Sequence, residues 1–158
     1  MSRNSFLQTF YKGLIAVGES LQSVLLLAIR LFWGYGFFQS AQGKFKDLPA
    51  TIAFFENIGI PFAKFNVYAV ASIELVGGLL LMIGLVTRLV SIPLMIVMVG
   101  AYLTAHLDSV KSIFDDPKTF VKEAPFNYLL ACLILFVFGP GKLSLDYVLE
   151  RLMGSPKR

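Results

Sequence analysis

Arg30 and Glu74 are the residues of this sequence whose setting could make them chemically active, because each lies inside an apolar run long enough to cross a bilayer. A charge at that depth costs about 2.5–3.5 kcal/mol on insertion scales, so each should face protein or a water-filled cavity and be paired or protonated. The spacing predicts that they meet. In antiparallel spans ending at a common face, Arg30 lies about eleven residues from position 41 and Glu74 about seven from position 67, an offset of about 6 Å that an arginine can bridge. Two readings of the couple stand: a buried ion pair that fixes which helix faces meet, or a polar site that hydrogen-bonds a carbonyl or hydroxyl of a ligand within the membrane.

Around that couple, Gln39, Gln42, Lys44, His106, Asp108, Asn127 and Tyr128 are expected to share one polar mouth. His106, the single histidine, is either a hydrogen-bonded interfacial residue or a proton carrier. One histidine and one distant cysteine supply no recognisable set of three metal ligands, so no metal is expected. Cys132, in an apolar run, cannot form a CxxC pair and reads as a small buried hydrophobe. No GxGxxG, P-loop, HExxH or GxSxG pattern occurs, so no cofactor is assigned by motif and no catalytic residue is named.

The elements that must position these residues are membrane spans. The chain has 158 residues, 56% apolar and 15% charged, and its mean hydropathy is +0.72, which together describe a polytopic membrane protein. Basic residues are scattered at span ends, so the net charge of +4 speaks for orientation and headgroup contact and not for nucleic acid. The expected class is all-α: an antiparallel four-helix transmembrane bundle, one domain, with spans at about 21–41, 67–86, 89–107 and 124–138. Shorter interfacial helices are expected at about 5–18, 50–58 and 144–153. The first places Phe6, Leu7, Phe10, Tyr11, Leu14 and Ile15 at helical spacing, and no secretory leader is expected ahead of it. Residues 108–125 read as a polar loop, and Thr87 and Arg88 as the turn of a tight hairpin. With four spans both termini share a side. Seven bases there against six opposite place them in the cytoplasm by the positive-inside rule.

Three stretches resemble the DoxX family of small bacterial four-helix membrane proteins: Arg30 followed by Gln42-Gly43-Lys44-Phe45, the hairpin ELVGGLLLMIGLVTR at 74–88, and GPGKLSLD at 139–146. The resemblance covers roughly residues 25–147 and implies a four-helix bundle in the bacterial inner membrane. Members of that family are associated with quinone-linked thiosulfate oxidation and with membrane complexes that handle oxidative or thiol stress, and some have no assigned activity. The first expectation is therefore a subunit or accessory factor of a membrane redox complex, in contact with lipids, with a partner protein or further copies of itself, and with a quinone- or lipid-binding site near Arg30 and Glu74. A self-sufficient quinone-linked oxidoreductase is the second, although no flavin, haem, metal or dithiol signature supplies an electron carrier. A small transporter is the third, with little room for a conduit around one ion pair.

Overall fold

A computed structural model describes residues 3–153, with side chains from residue 7 onward. The described residues form helices only: α1 (Arg3–Lys46), α2 (Leu48–Asn57), α3 (Ala63–Ile83), α4 (Thr87–Thr104), α5 (Leu107–Lys111), α6 (Pro117–Lys122), α7 (Ala124–Phe138) and α8 (Leu145–Leu152). Three of them, α1, α3 and α4, are long and apolar enough to cross a membrane, and α7 is a shorter apolar helix of 15 residues. Helix α1 packs along α3, α3 on α4, α4 on α7, and α7 back on α1, around the larger of two apolar clusters among the described residues; the smaller, Phe55, Ala63 and Val67, joins α2 to α3. Leu26, Phe37, Leu81, Leu94, Met98, Cys132 and Leu135 fill the larger cluster. The polytopic all-α membrane fold expected from composition is the fold observed.

The surface helix expected at 5–18 and the span expected at 21–41 are one continuous helix of 44 residues, about 66 Å long. Neither Gly18 nor Ser20 interrupts it. The Ser20 hydroxyl donates to the Ala16 carbonyl 2.8 Å away, inside the helix. The Phe6 side chain expected on the apolar face lies outside the described side chains. From residue 7 to residue 22 every side chain is exposed, and Leu26 is the first one buried.

Small residues set the closeness of α1 and α3. A methyl on Gly78 would sit 2.6 Å from the Gly34 carbonyl oxygen and 2.9 Å from the Phe38 nitrogen. Both are backbone atoms and cannot swing aside. Its neighbour Gly77 turns to the other side, where a methyl would meet Leu94 of α4 at 2.9 Å. In lipid, where apolar surface gains little by leaving the solvent, such close packing is what holds helices together. Gly78→Ala is expected to force α1 and α3 apart at a cost of roughly 1–3 kcal/mol, read as a lower unfolding midpoint in detergent.

The turn between α3 and α4 lies earlier than expected, at Gly84–Val86, with Thr87 already the first residue of α4. Gly84 closes α3 at φ +71°, and Val86 enters α4 at φ +46°. Its support comes from far along the chain. The Asp146 carboxylate accepts from the Val86 and Thr87 nitrogens at 2.7 and 2.9 Å, while the Asp146 nitrogen donates to the Gly84 carbonyl at 2.9 Å. Residues 108–125, read as a loop, contain two short helices; α6 begins at Pro117, whose fixed φ suits a first helical turn.

Candidate functional site

The polar groups of the core divide between the two ends of the α1–α3 seam: the mouth, where α1 ends and α3 begins, and the hairpin end at Gly84. At the mouth, Glu74 is 3% exposed and accepts from the Lys44 ammonium at 2.5 Å. Lys44 also donates to the Ser40 hydroxyl at 2.7 Å, one turn back on its own helix. The helical tilt of side chains toward their own N-terminus explains the contact. Lys44, near the end of α1, leans down into the bundle, whereas Glu74, on the antiparallel α3, leans up toward the mouth. Lys44 keeps 20% of its side-chain surface, so the pair is closed on the Glu74 side and touches solvent through the lysine.

An aromatic cluster lies deeper in the bundle, between α1 and α7. Tyr128 of α7 meets Trp33 and Phe37 of α1 edge to face, with ring centroids 4.8 and 4.7 Å apart. A methyl on Gly36 would lie 2.5 Å from the Tyr128 hydroxyl oxygen, so the ring rests where α1 offers no side chain.

Arg30 does not pair with Glu74. It lies at the hairpin end, fully buried, and its Nη2 donates to the Leu143 carbonyl. Gly84 leaves the room it needs, since a methyl there would overlap the guanidinium. The expected pairing placed the end of the first span at position 41 opposite position 67. With α1 running to Lys46, and Gly34 packed on Gly78, Arg30 stands opposite Gly84, about ten residues or 15 Å from the level of Glu74. The tilt of the two side chains then carries them further apart.

The segment joining α7 to α8 closes this end. Besides the Leu143 carbonyl, it places Gly141 against Leu26 and the Lys142 nitrogen 3.3 Å from the Ser23 hydroxyl. Arg88 donates to the Val137 carbonyl at 3.2 Å. Part of each stretch that carried the resemblance thus reaches this knot: Arg30, the 84–88 end of the hairpin, and 139–146, whereas Lys44 of the first and Glu74 of the second lie at the mouth. Asp146→Ala is expected to cost roughly 1–2 kcal/mol through loss of the α4 cap, measurable as a lower midpoint of thermal unfolding.

Of the other residues expected at the mouth, Gln39, Gln42, Asp108 and Asn127 are exposed, and the Gln39 amide donates to the Tyr35 hydroxyl at 3.1 Å. His106 forms a separate cluster. Its Nδ1 lies 2.8 Å from the Glu123 carboxylate, which also accepts from the Ser109 hydroxyl at 3.0 Å, and the nearby Tyr102 hydroxyl donates to the Phe120 carbonyl at 2.8 Å. The mouth therefore holds two polar clusters in place of one vestibule. Ser40, Glu123 and Asp146 were missed by sequence reasoning. Ser40 had a signal, its four-residue spacing from Lys44 on one helix face; Asp146, some sixty residues from its partners, had none.

Among the described residues, two clefts stand out. One, of about 670 Å³, lies between α2 and the start of α3 and is lined by Ile60, Phe62, Lys64 and Tyr68 among others. The second, of about 880 Å³, lies at the hairpin end between α1, the start of α4 and α8. Neither is lined by Lys44 or Glu74. Among the described residues, no group of three histidine, cysteine or carboxylate side chains comes together as a metal would require.

The sequence matches the DoxX family over residues 25–107, a stretch that contains Arg30, Lys44, Glu74 and Gly84. A Bacillus subtilis protein named "Putative oxidoreductase CatD" is 35% identical over 122 residues, covering 76% of this chain and 83% of that protein. An uncharacterized protein of Haemophilus influenzae is 29% identical over 133 residues, covering 82% and 85%. A Mycobacterium tuberculosis protein named "Uncharacterized membrane protein Rv3486" is 34% identical over 108 residues, covering 61% and 63%. No solved structure matches.

Proposed function

We propose that this chain, which belongs to the DoxX family, serves as a subunit or accessory factor of a redox or oxidative-stress complex in the bacterial inner membrane, and that it binds an amphipathic ligand of the quinone or lipid class at Lys44 and Glu74. In this reading α7 is a fourth span and both termini are cytoplasmic, which puts the mouth on the outer side. The name borne by the Bacillus subtilis relative supports a redox setting.

The observation that carries the ligand site is the asymmetry of the Lys44–Glu74 pair. Its carboxylate is buried and its lysine partly open. A pair needed for packing alone could be replaced by apolar side chains at little or no cost in stability, and it would gain nothing from an opening. Lys44 has a flexible stem and two acceptors at hand, Glu74 and Ser40. A ligand carbonyl can take the place of Ser40 as the second acceptor, and a ligand hydroxyl can donate to Glu74. An aromatic headgroup has the half-buried rings of Tyr128 and Trp33 to pack against, rings that favour edge-to-face contact. A bound quinone would supply the electron chemistry. The chain's own residues orient it and hold a proton at Lys44 or Glu74, with electrons coming from a partner protein.

Trp33, the single tryptophan, reports on this site. A short-chain benzoquinone titrated into the full-length protein in nanodiscs is expected to quench Trp33 fluorescence saturably. Lys44→Gln, which keeps a hydrogen-bond donor beside Glu74, should raise the half-saturation concentration about tenfold, the loss of roughly one charge-assisted hydrogen bond. Quenching that never saturates, or that is indifferent to Lys44→Gln, would count against the site.

A further inference from the structure

We infer that the cleft at the hairpin end is a binding site for the headgroup of a zwitterionic phospholipid with a primary ammonium, of the phosphatidylethanolamine class. The cleft has about 880 Å³ and three cationic and three acidic side chains around it: Arg88, Lys142 and Arg151, with Glu19, Asp146 and Glu150. Among the described residues the ion pairs are Lys44–Glu74 and His106–Glu123, so none of these six charges pairs with another. Asp146 is already occupied as the cap of α4. That leaves cations on one hand and Glu19 and Glu150 on the other, each sign without a fixed counterion inside the cleft. A phosphate next to an ammonium on a short linker matches this arrangement, whereas a plain anion would leave the two glutamates unanswered.

A second observation points the same way. Thr87, at the first turn of α4, lines the cleft, is fully buried, and its hydroxyl has no hydrogen-bond partner. An unmet buried hydroxyl is costly, and a phosphate oxygen would answer it. The surroundings suit a lipid as well. Leu26, Leu89 and Phe138 give the cleft an apolar side for the glycerol and upper acyl chain. Helix α8 adds an amphipathic wall, where Arg151 lies over the Tyr147 ring with 5.5 Å to its centroid. Arg88, Lys142 and Arg151 are thus the phosphate partners, and Glu19 and Glu150 select a primary ammonium, which can donate hydrogen bonds, over choline, which cannot.

The test is lipid retention. Full-length protein is reconstituted in vesicles of equimolar phosphatidylethanolamine, phosphatidylglycerol and phosphatidylcholine, extracted into mild detergent, and weighed by native mass spectrometry. About one phosphatidylethanolamine per chain is expected, enriched roughly tenfold over phosphatidylcholine. Arg151→Gln with Lys142→Gln, both exposed positions, should remove most of that retention with an unchanged unfolding midpoint. Glu19→Gln with Glu150→Gln should abolish the discrimination between the two zwitterions. Thr87→Val, nearly isosteric, should fold and retain less lipid. Equal retention of the three lipids, preference for phosphatidylglycerol, no retained lipid, or indifference to the Arg151 and Lys142 changes would each overturn the inference.

Discussion

Lys44→Met alone will destabilise the protein by about 3 kcal/mol, because it strands the Glu74 carboxylate in the core without a partner. Lys44 is partly open to solvent, so the lower end of the range for broken buried pairs applies. The second half of the expectation is more informative. Lys44→Met combined with Glu74→Leu should recover most of the lost stability, since a well-packed apolar pair replaces a buried ionic one at little cost. A coupling energy of about 2 kcal/mol or more between the two changes, from reversible unfolding in micelles, would establish that they act as one unit. If the recovered double variant also loses its ligand, the pair serves binding beyond packing.

Gly84→Ala is expected to have a still larger effect. The position combines three demands. Its φ of +71° costs a side chain about 1–2 kcal/mol; a methyl would overlap the buried Arg30 guanidinium; and it would come 2.7 Å from the Ser144 Cβ. Arg30 would have to leave the Leu143 carbonyl, and the Asp146 bond to the Gly84 carbonyl would shift with the turn. A total above about 3 kcal/mol follows when overpacking is added to backbone strain. Failure to accumulate folded protein in the membrane is the expected readout, with Trp33 fluorescence melts giving the number if protein is obtained. A variant within about 0.5 kcal/mol of wild type, the scatter of an ordinary surface change, would refute this account of the hairpin end.

The membrane fold was readable in the sequence because it rests on quantities the sequence carries directly: the length of each apolar run and the punctuation between runs. Gly139 and Ser144 mark helix boundaries by their own chemistry, whereas Pro117, read as part of a loop, opens α6. Glu74 was readable as a buried group in need of a partner. Which partner it takes depended on register, and register depended on where α1 ends. Taking Ala41 as that end slid the seam by about six residues and brought Arg30 within apparent reach. The close approach at Gly34 and Gly78, together with the tilt of side chains toward each helix's N-terminus, assigns Glu74 to Lys44 and sends Arg30 the other way.

Of the residues that carried the resemblance, Lys44 and Glu74 lie at the mouth, and Arg30, 84–88 and 139–146 lie at the hairpin end. Arg30, Gly84, Leu143 and Asp146 interlock there by backbone hydrogen bonds and close packing. Residues engaged in this way specify a fold. The mouth, where Lys44 and Glu74 meet, is where a ligand role can differ while the knot stays the same. Likeness of fold and family says little about reaction, and the site has to be argued from its own geometry.

The most direct measurement is native mass spectrometry of the protein drawn gently from its own membrane, comparing wild type with Lys44→Gln/Glu74→Gln, an uncharged pair that can still hydrogen-bond, and with Arg151→Gln. A stoichiometric quinone or lipid-like molecule that is present in wild type, persists in Arg151→Gln and is lost from the folded Lys44/Glu74 variant is the predicted result. Wild-type protein that carries no such molecule, or a Lys44/Glu74 variant that keeps it, would contradict the proposal that this pair is a ligand site.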